Sequence, residues 1–291
     1  MKPGISIIGC GRVGTALAVF LAQAGYPLAG LASKRISSAR NAATLAETGQ
    51  VFEHITDAAK KGTILFITTP DDAIQGVFDT LVEKKALMPG TLVFHCSGAL
   101  SSCIFSTVAG VSRGSIHPLQ SFTAHEPGQA SPFKGVNMSV EGDDPAVAEG
   151  TRIIAALGAM SFTIPTQAKT LYHAAAVVAS NYLVTVEHFA VELLKQTGLS
   201  DTRAYAILAP LIHGTLTNIS RRGTQAALTG PIARGDADIV AAHMAALKDK
   251  RPEDLELYRI LGQYTLKLAE QATPLDPESR ARLTALFSQD A

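Results

Sequence analysis

Residues 4–14 read Gly4-Ile5-Ser6-Ile7-Ile8-Gly9-Cys10-Gly11-Arg12-Val13-Gly14, and residues 15–25 continue as TALAVFLAQAG. An apolar run of strand length, a G-x-G-x-x-G segment and an apolar stretch of helical length follow without a break. That order predicts a strand–turn–helix unit that grips a dinucleotide. Gly9 permits the tight turn, Gly11 lets the backbone approach a diphosphate, and Gly14 lets the helix pack closely on the strand. Cys10, Arg12 and Val13 fill the remaining positions. Their backbone N–H groups lie at a helix start, where the positive end of the helix dipole favours phosphate. Cys10 is expected to contribute no more than its N–H.

The next apolar run, Leu28–Ala32, ends in Ser33-Lys34-Arg35. Domains that bind NAD usually carry Asp or Glu about 20 residues beyond the fingerprint, for the ribose 2′-hydroxyl. No carboxylate stands here. A hydroxyl and two cations suit a 2′-phosphate instead, so NADP(H) is expected over NAD(H). The plain alternative is a solvated basic loop.

Further β-rich and helical stretches alternate up to about residue 165. Strands are expected at residues 4–8, 28–32, 63–68, 91–95, 114–117, 136–140 and 161–164, and helices at 13–24, 37–47, 72–84 and 144–157, with Asp71 or Asp72 near an N-cap. The run TILFIT at 63–68 is continuously apolar, as in a strand buried on both faces of a parallel sheet. The alternation predicts a Rossmann-type, doubly wound α/β domain. Thr68, Thr69 and Pro70 close that strand at its C-terminal end, where ligands of such sheets bind, and are assigned to the cofactor cleft.

After Pro165 no strand is expected. Helices are predicted over 166–197, 201–221, 236–249, 252–272 and 276–288, broken at Gly198, Gly223, Gly230-Pro231, Gly235 and Pro274. The expectation is two domains: a cofactor-binding domain at 1–165 and an all-helical substrate and dimerisation domain at 166–291.

Three clusters are candidates for chemistry at the nicotinamide end. His95-Cys96-Ser97-Gly98 follows one strand, and Ser97 is counted with the cofactor-binding residues. Ser115-Ile116-His117-Pro118 follows another. Lys169-Thr170-Leu171-Tyr172-His173, with Ser180-Asn181, lies on the first helix after Pro165. At 100° per residue Lys169, His173 and Ser180 share a face within about 40°, with Asn181 at its edge. Reduction of a carbonyl needs a proton donor and the reverse reaction a base, which Lys or His provides. Lys169, His173, His117 and Asn181 are therefore the candidate catalytic residues. Each has a plain alternative: a solvated lysine, a packed histidine, a His-Pro turn. His95 and Cys96 are read as structural. In a later polar segment, Thr229–Asp236, Asp236 is expected to cap the following helix and Arg234 is a candidate for binding a carboxylate or phosphate.

Composition excludes several classes. Lys plus Arg and Asp plus Glu balance at 25 each, so no global charge attracts nucleic acid or an anionic membrane. Three cysteines argue against a disulfide framework, and no His/Cys cluster has zinc-ligand spacing. Arg12 and the glycines interrupt the apolar N-terminus, which argues against a signal peptide or spanning helix. No other segment reaches about 18 apolar residues without a charge or breaker. A cytoplasmic protein is expected.

The fingerprint, the basic end of strand two, the His-Pro turn, KTLYHAAAVVASNY and TGPIARGD together resemble Rossmann-like oxidoreductases of unknown function that carry a dedicated helical C-terminal domain. The resemblance spans essentially the whole chain and extends more distantly to pyrroline-5-carboxylate reductase, ketopantoate reductase and the β-hydroxyacid and 6-phosphogluconate dehydrogenases. It implies NADP-linked hydride transfer and homodimers formed through the helical domain. In β-hydroxyacid dehydrogenases a Lys begins this helix with an Asn one turn on. Lys169 matches the Lys, whereas His173 stands where the Asn would be and Asn181 lies further along. The expected function is an NADP-dependent oxidoreductase acting on a small polar substrate, a 2-oxo acid, hydroxyacid or cyclic imine. The alternative is an NADP(H)-binding sensor or scaffold without turnover. Reduction of NADP by a deazaflavin ranks lower, since no dedicated deazaflavin signature is present.

Overall fold

The computed structural model of the chain describes residues 2–124 and 126–288. Seven strands, β1 (Ile5–Ile8), β2 (Leu28–Ala32), β3 (Ile64–Ile67), β4 (Leu92–His95), β5 (Ser112–Pro118), β6 (Asn137–Gly142) and β7 (Met160–Thr163), form one sheet in the order β2-β1-β3-β4-β5-β6-β7. Between them run α1 (Arg12–Gln23), α2 (Ile36–Ala46), α3 (Ile55–Ala59), α4 (Asp71–Glu83) and α5 (Asp144–Ala156).

Alternation along the strands puts apolar side chains on both faces. Ile64 and Phe66 of β3 join one core with Leu17 and Phe20 of α1 and Ile153 of α5, while Leu65 and Ile67 join another with Ile74, Phe78 and Leu81 of α4. Phe66 stacks on Phe94 at a centroid distance of 5.4 Å. The sheet is therefore covered on both sides, which is the doubly wound arrangement.

The sheet is not wholly parallel. β6 runs antiparallel to β5, with Ser115 opposite Glu141 and His117 opposite Ser139. Among the described residues between these strands there is no crossover helix, as an antiparallel neighbour allows. α5 restores the parallel direction for β7.

By its contacts the chain divides into two units, Met1–Ala179 and Ser180–Ala291. The division thus falls beyond the change of pattern at Pro165, and the helix α6 (Lys169–Val177) stays with the sheet. Its Lys169 is 1% exposed, and the Tyr172 ring packs edge-on to Phe162 of β7 at 6.0 Å. A five-residue π-helical stretch, Val178–Tyr182, follows α6.

The second unit is helical: α7 (Leu183–Lys195), α8 (Asp201–Ala227), α9 (Pro231–Arg234), α10 (Ala237–Lys250), α11 (Leu255–Ala272) and α12 (Pro277–Ser288). Its core gathers Ala237, Val240, Leu266, Leu283 and Phe287. α8 is broken at Gly223, which takes φ +77°. Asp236 occupies the N-cap position of α10 without a side-chain cap bond; its carboxylate instead pairs with Arg234 at 2.9 Å. The two charges nearest in sequence satisfy each other, so the helix is not capped by this side chain and Arg234 is not a free cation.

One helical stretch, Thr166–Lys195, is long and apolar enough to cross a membrane by length and composition, with mean hydropathy 1.3 over 18 residues of which 11% are buried. His173, Ser180 and Asn181 interrupt it, which is why a search for unbroken apolar runs passes it over.

Candidate active site

β1, β3, β4 and β5 are parallel, so their C-terminal ends lie along one edge of the sheet. The strand order reverses between β1 and β3, because β2 lies to one side of β1 and β3 to the other. Ligands of open α/β sheets bind at such a reversal.

The glycine turn fills that crevice. Gly9 takes φ +100°, and a Cβ there would lie 2.7 Å from the Thr69 nitrogen. A Cβ on Gly14 would strike the Gly9 carbonyl and lie 2.5 Å from Thr68 Oγ1. Thr68 Oγ1 donates to the Gly9 carbonyl at 2.6 Å and ties the turn to β3. By contrast, nothing lies within 4 Å of a Cβ on Gly11. Gly11 is the N-cap of α1 and offers no side-chain cap to its first N–H groups. Thr69 Oγ1 beside the turn is buried without a hydrogen-bond partner. An open backbone at a helix start, next to an unsatisfied hydroxyl, fits a diphosphate. The Cys10 thiol is buried against the Ala32 carbonyl, and burial pushes it up to about 12, so it is no nucleophile.

The basic end of β2 is less enclosed. Ser33 is half-buried, Lys34 and Arg35 are exposed, and neither cation has an ion-pair partner among the described residues. Pro70 is the exposed N-cap of α4, and Asp71 follows in its first turn rather than capping it. The Asp71 carboxylate instead accepts from Ser97 Oγ at 2.7 Å. Ser97 Oγ also accepts from the Ala99 and Leu100 nitrogens, so its hydroxyl links its own loop to the start of α4.

A second polar cluster lies at the C-terminal end of β4 and along the part of β5 that starts beside it, so Ser115 and His117 stand within a strand rather than past one. Lys169, the first residue of α6, donates from Nζ to Ser115 Oγ at 2.8 Å and lies 5.7 Å from the Tyr172 ring centre. Burial lowers its pKa to about 8, against the nearby charge of Glu141. His117 Nδ1 meets the Tyr172 hydroxyl at 2.8 Å. Burial, followed by the charge on Lys169, pushes His117 down to about 4, which keeps it neutral near pH 7. His173 Nδ1 is buried without a partner. A Cβ on Gly98 would lie 2.5 Å from His173 Nδ1 and 2.7 Å from His117 Nε2, so two imidazoles converge over this glycine. His95 accepts from the Ser97 nitrogen through Nδ1 and is lowered to about 4 by burial; Cys96 is raised to about 12 by the same cause. His95 is fully buried with Nε2 left without a partner, and Cys96 is partly buried.

The fold thus brings Lys169, His173 and His117 together. Asn181 and Ser180 belong to the second unit, exposed within the π-helical stretch. Tyr172 and Glu141 were not among the expected site residues. Tyr172 shares the signal of its neighbours, three residues beyond Lys169. Glu141 offers only one acid at the end of an otherwise buried strand, and no local pattern marks it.

Residues 2–119 match the Rossmann-like domain family, and residues 136–265 match the family described as domain of unknown function DUF2520. The polar cluster draws on both segments. No curated protein matches the chain. Among solved structures, a candidate NADP oxidoreductase of Bacteroides fragilis, BF3122, is 22% identical with a TM-score of 0.74 over 91% of this chain and 98% of its own. Protein TM1727 of Thermotoga maritima is 25% identical with a TM-score of 0.72, over 92% and 98% of the two chains. The Plasmodium falciparum pyrroline carboxylate reductase solved with NADP is 12% identical with a TM-score of 0.57, over 98% of each. With its glycine turn at the sheet's switch point, this chain matches the Rossmann-like domain family over residues 2–119 and the DUF2520 family over residues 136–265.

Proposed function

We propose that the chain is an NADP-dependent oxidoreductase that transfers a hydride to or from a small polar substrate, a 2-oxo acid, hydroxyacid or cyclic imine. The observation that carries this reading is the fully buried Lys169, whose ammonium is held on Ser115 at the same sheet edge as the open glycine turn. NADP(H), when bound, supplies or accepts the hydride. The turn Gly9–Gly14, the first N–H groups of α1 and Thr69 hold its diphosphate, and Ser33, Lys34 and Arg35 hold the 2′-phosphate.

The chain's own residues handle the proton. In reduction Lys169 Nζ gives a proton to the substrate oxygen or nitrogen that gains an electron pair; in oxidation it takes the proton back. A lysine titrating at about 8 does both near neutral pH. Neutral His117, oriented by Tyr172, and His173 offer ring nitrogens over Gly98 that orient a polar substrate group. The fold shared with an NADP-bound pyrroline carboxylate reductase is consistent with imine substrates.

The working form is proposed to be a homodimer. Tyr182, Val184, Tyr205, Ile207, Leu211 and Leu216 of the helical unit are exposed. Apolar surface of this kind marks an association face.

The test is calorimetry with NADPH and NADH, followed by a screen of NADPH oxidation against 2-oxo acids and cyclic imines. Tighter binding of NADPH with turnover of one class supports the proposal. Folded protein that binds neither nucleotide overturns it.

A further inference from the structure

We infer that Glu141 is a positioning residue that acts through Lys169: its buried carboxylate anchors the turn leading into α6 and supplies the negative charge that faces the ammonium. The inference rests on the proton role proposed for Lys169.

Glu141 is 3% exposed and pairs directly with Ser115 across β5 and β6. Paired residues of antiparallel strands project to the same face, so the carboxylate and the hydroxyl that receives Lys169 share a face of the sheet. A carboxylate buried without partners is costly. Here Oε1 accepts from the Ser102 nitrogen at 2.8 Å, and Oε2 accepts from Ser102 Oγ at 2.8 Å and Thr166 Oγ1 at 3.0 Å. These donors come from the turn Ser102–Ile104 and from Thr166, which begins the turn Thr166–Ala168 directly before Lys169. One side chain therefore fastens the approach to the catalytic lysine onto the sheet.

None of the three donors carries charge. The charged and titratable groups around Lys169 are Glu141 on β6, His95 and Cys96 at the end of β4, His117 on β5, Asp71 at the start of α4, and Tyr172 and His173 on its own helix. Cys96, raised to about 12, is uncharged near pH 7, and the histidines at 95 and 117, lowered to about 4, are neutral. Asp71, which accepts from Ser97, also favours the ammonium but contributes less than Glu141. Glu141 is thus the principal charge that favours the protonated lysine.

The test follows the Lys169 ammonium directly, in full-length protein carrying 13C-labelled lysine, with the resonance assigned by its loss in Lys169→Arg. The native titration midpoint is expected near 8. Glu141→Gln should lower it by at least about one pH unit. Thr166→Val should leave it in place while reducing kcat more than KM, because it removes the anchor and keeps the charge. An unchanged midpoint in folded Glu141→Gln overturns the inference. If that variant does not fold, the native protein decides: a carboxyl proton on Glu141 at neutral pH, seen in its side-chain carbon shift, overturns it equally. Neither reading needs turnover, so failure here is distinct from failure of the proposed reaction, which would show as normal activity in Lys169→Ala.

Discussion

Lys169 Nζ donates a 2.8 Å hydrogen bond to Ser115 Oγ, joining residues 54 apart in the chain inside an interior where both are buried. A lysine ammonium is seldom fully buried unless it is paired, and here its hydrogen bond goes to a neutral hydroxyl. Replacing Lys169 with alanine is expected to lower kcat/KM by about 10²–10⁴-fold, the usual worth of a positioned proton donor. NADPH affinity should be retained, because the diphosphate site is built from other residues. Steady-state kinetics with calorimetric NADPH titration checks both.

The pH dependence follows from the direction of the shift. Burial lowers Lys169 from 10.5 to about 8, so the ammonium persists below that pH and is lost above it. Reduction, which consumes the proton, should decline as pH rises through 8, and oxidation should increase over the same interval. His117, pushed down to about 4, should add no inflection between pH 5 and 8. A limb near pH 6–7 that disappears in His117→Asn would contradict this assignment.

Gly98→Ala is expected to damage the site more than the fold. The new methyl would stand 2.5 Å from His173 Nδ1 and 2.7 Å from His117 Nε2. Overpacking of this kind costs about 1–3 kcal/mol, relieved here by displacing the two rings. A large loss of kcat/KM, with a fall of only a few degrees in Tm, is the expected pair of readings.

Lys34→Glu with Arg35→Glu should weaken NADPH binding on the order of 10²-fold, by loss of charge-assisted contacts to a 2′-phosphate. NADH affinity should change little, since the glycine turn is untouched. Equal loss for both nucleotides would remove these residues from cofactor selection.

Leu211→Glu places a charge on an exposed apolar position of α8. Sedimentation should show a dimer for the native chain and a monomer for the variant. A native monomer would dispose of the proposed interface.

Much of this protein is legible along the chain because the signals are local. Gly9, Gly11 and Gly14 carry the cofactor turn, TILFIT announces a strand buried on both sides, and Gly223 marks the break inside α8. Each depends only on a residue's own backbone freedom or on the spacing of its immediate neighbours, and all seven expected strands formed near their expected positions. The reversal of β6 was not legible, because strand direction depends on how an irregular connection returns to the sheet. Nor was the π-helical stretch Val178–Tyr182, which residue types do not announce. Tertiary structure alone decided that Glu141 faces Ser115, that Tyr172 holds His117, and that two imidazoles close over Gly98. Those pairings cross 19 to 75 residues of chain, and hydrogen bonds and burial at that range arise only once the sheet has brought its strand ends together.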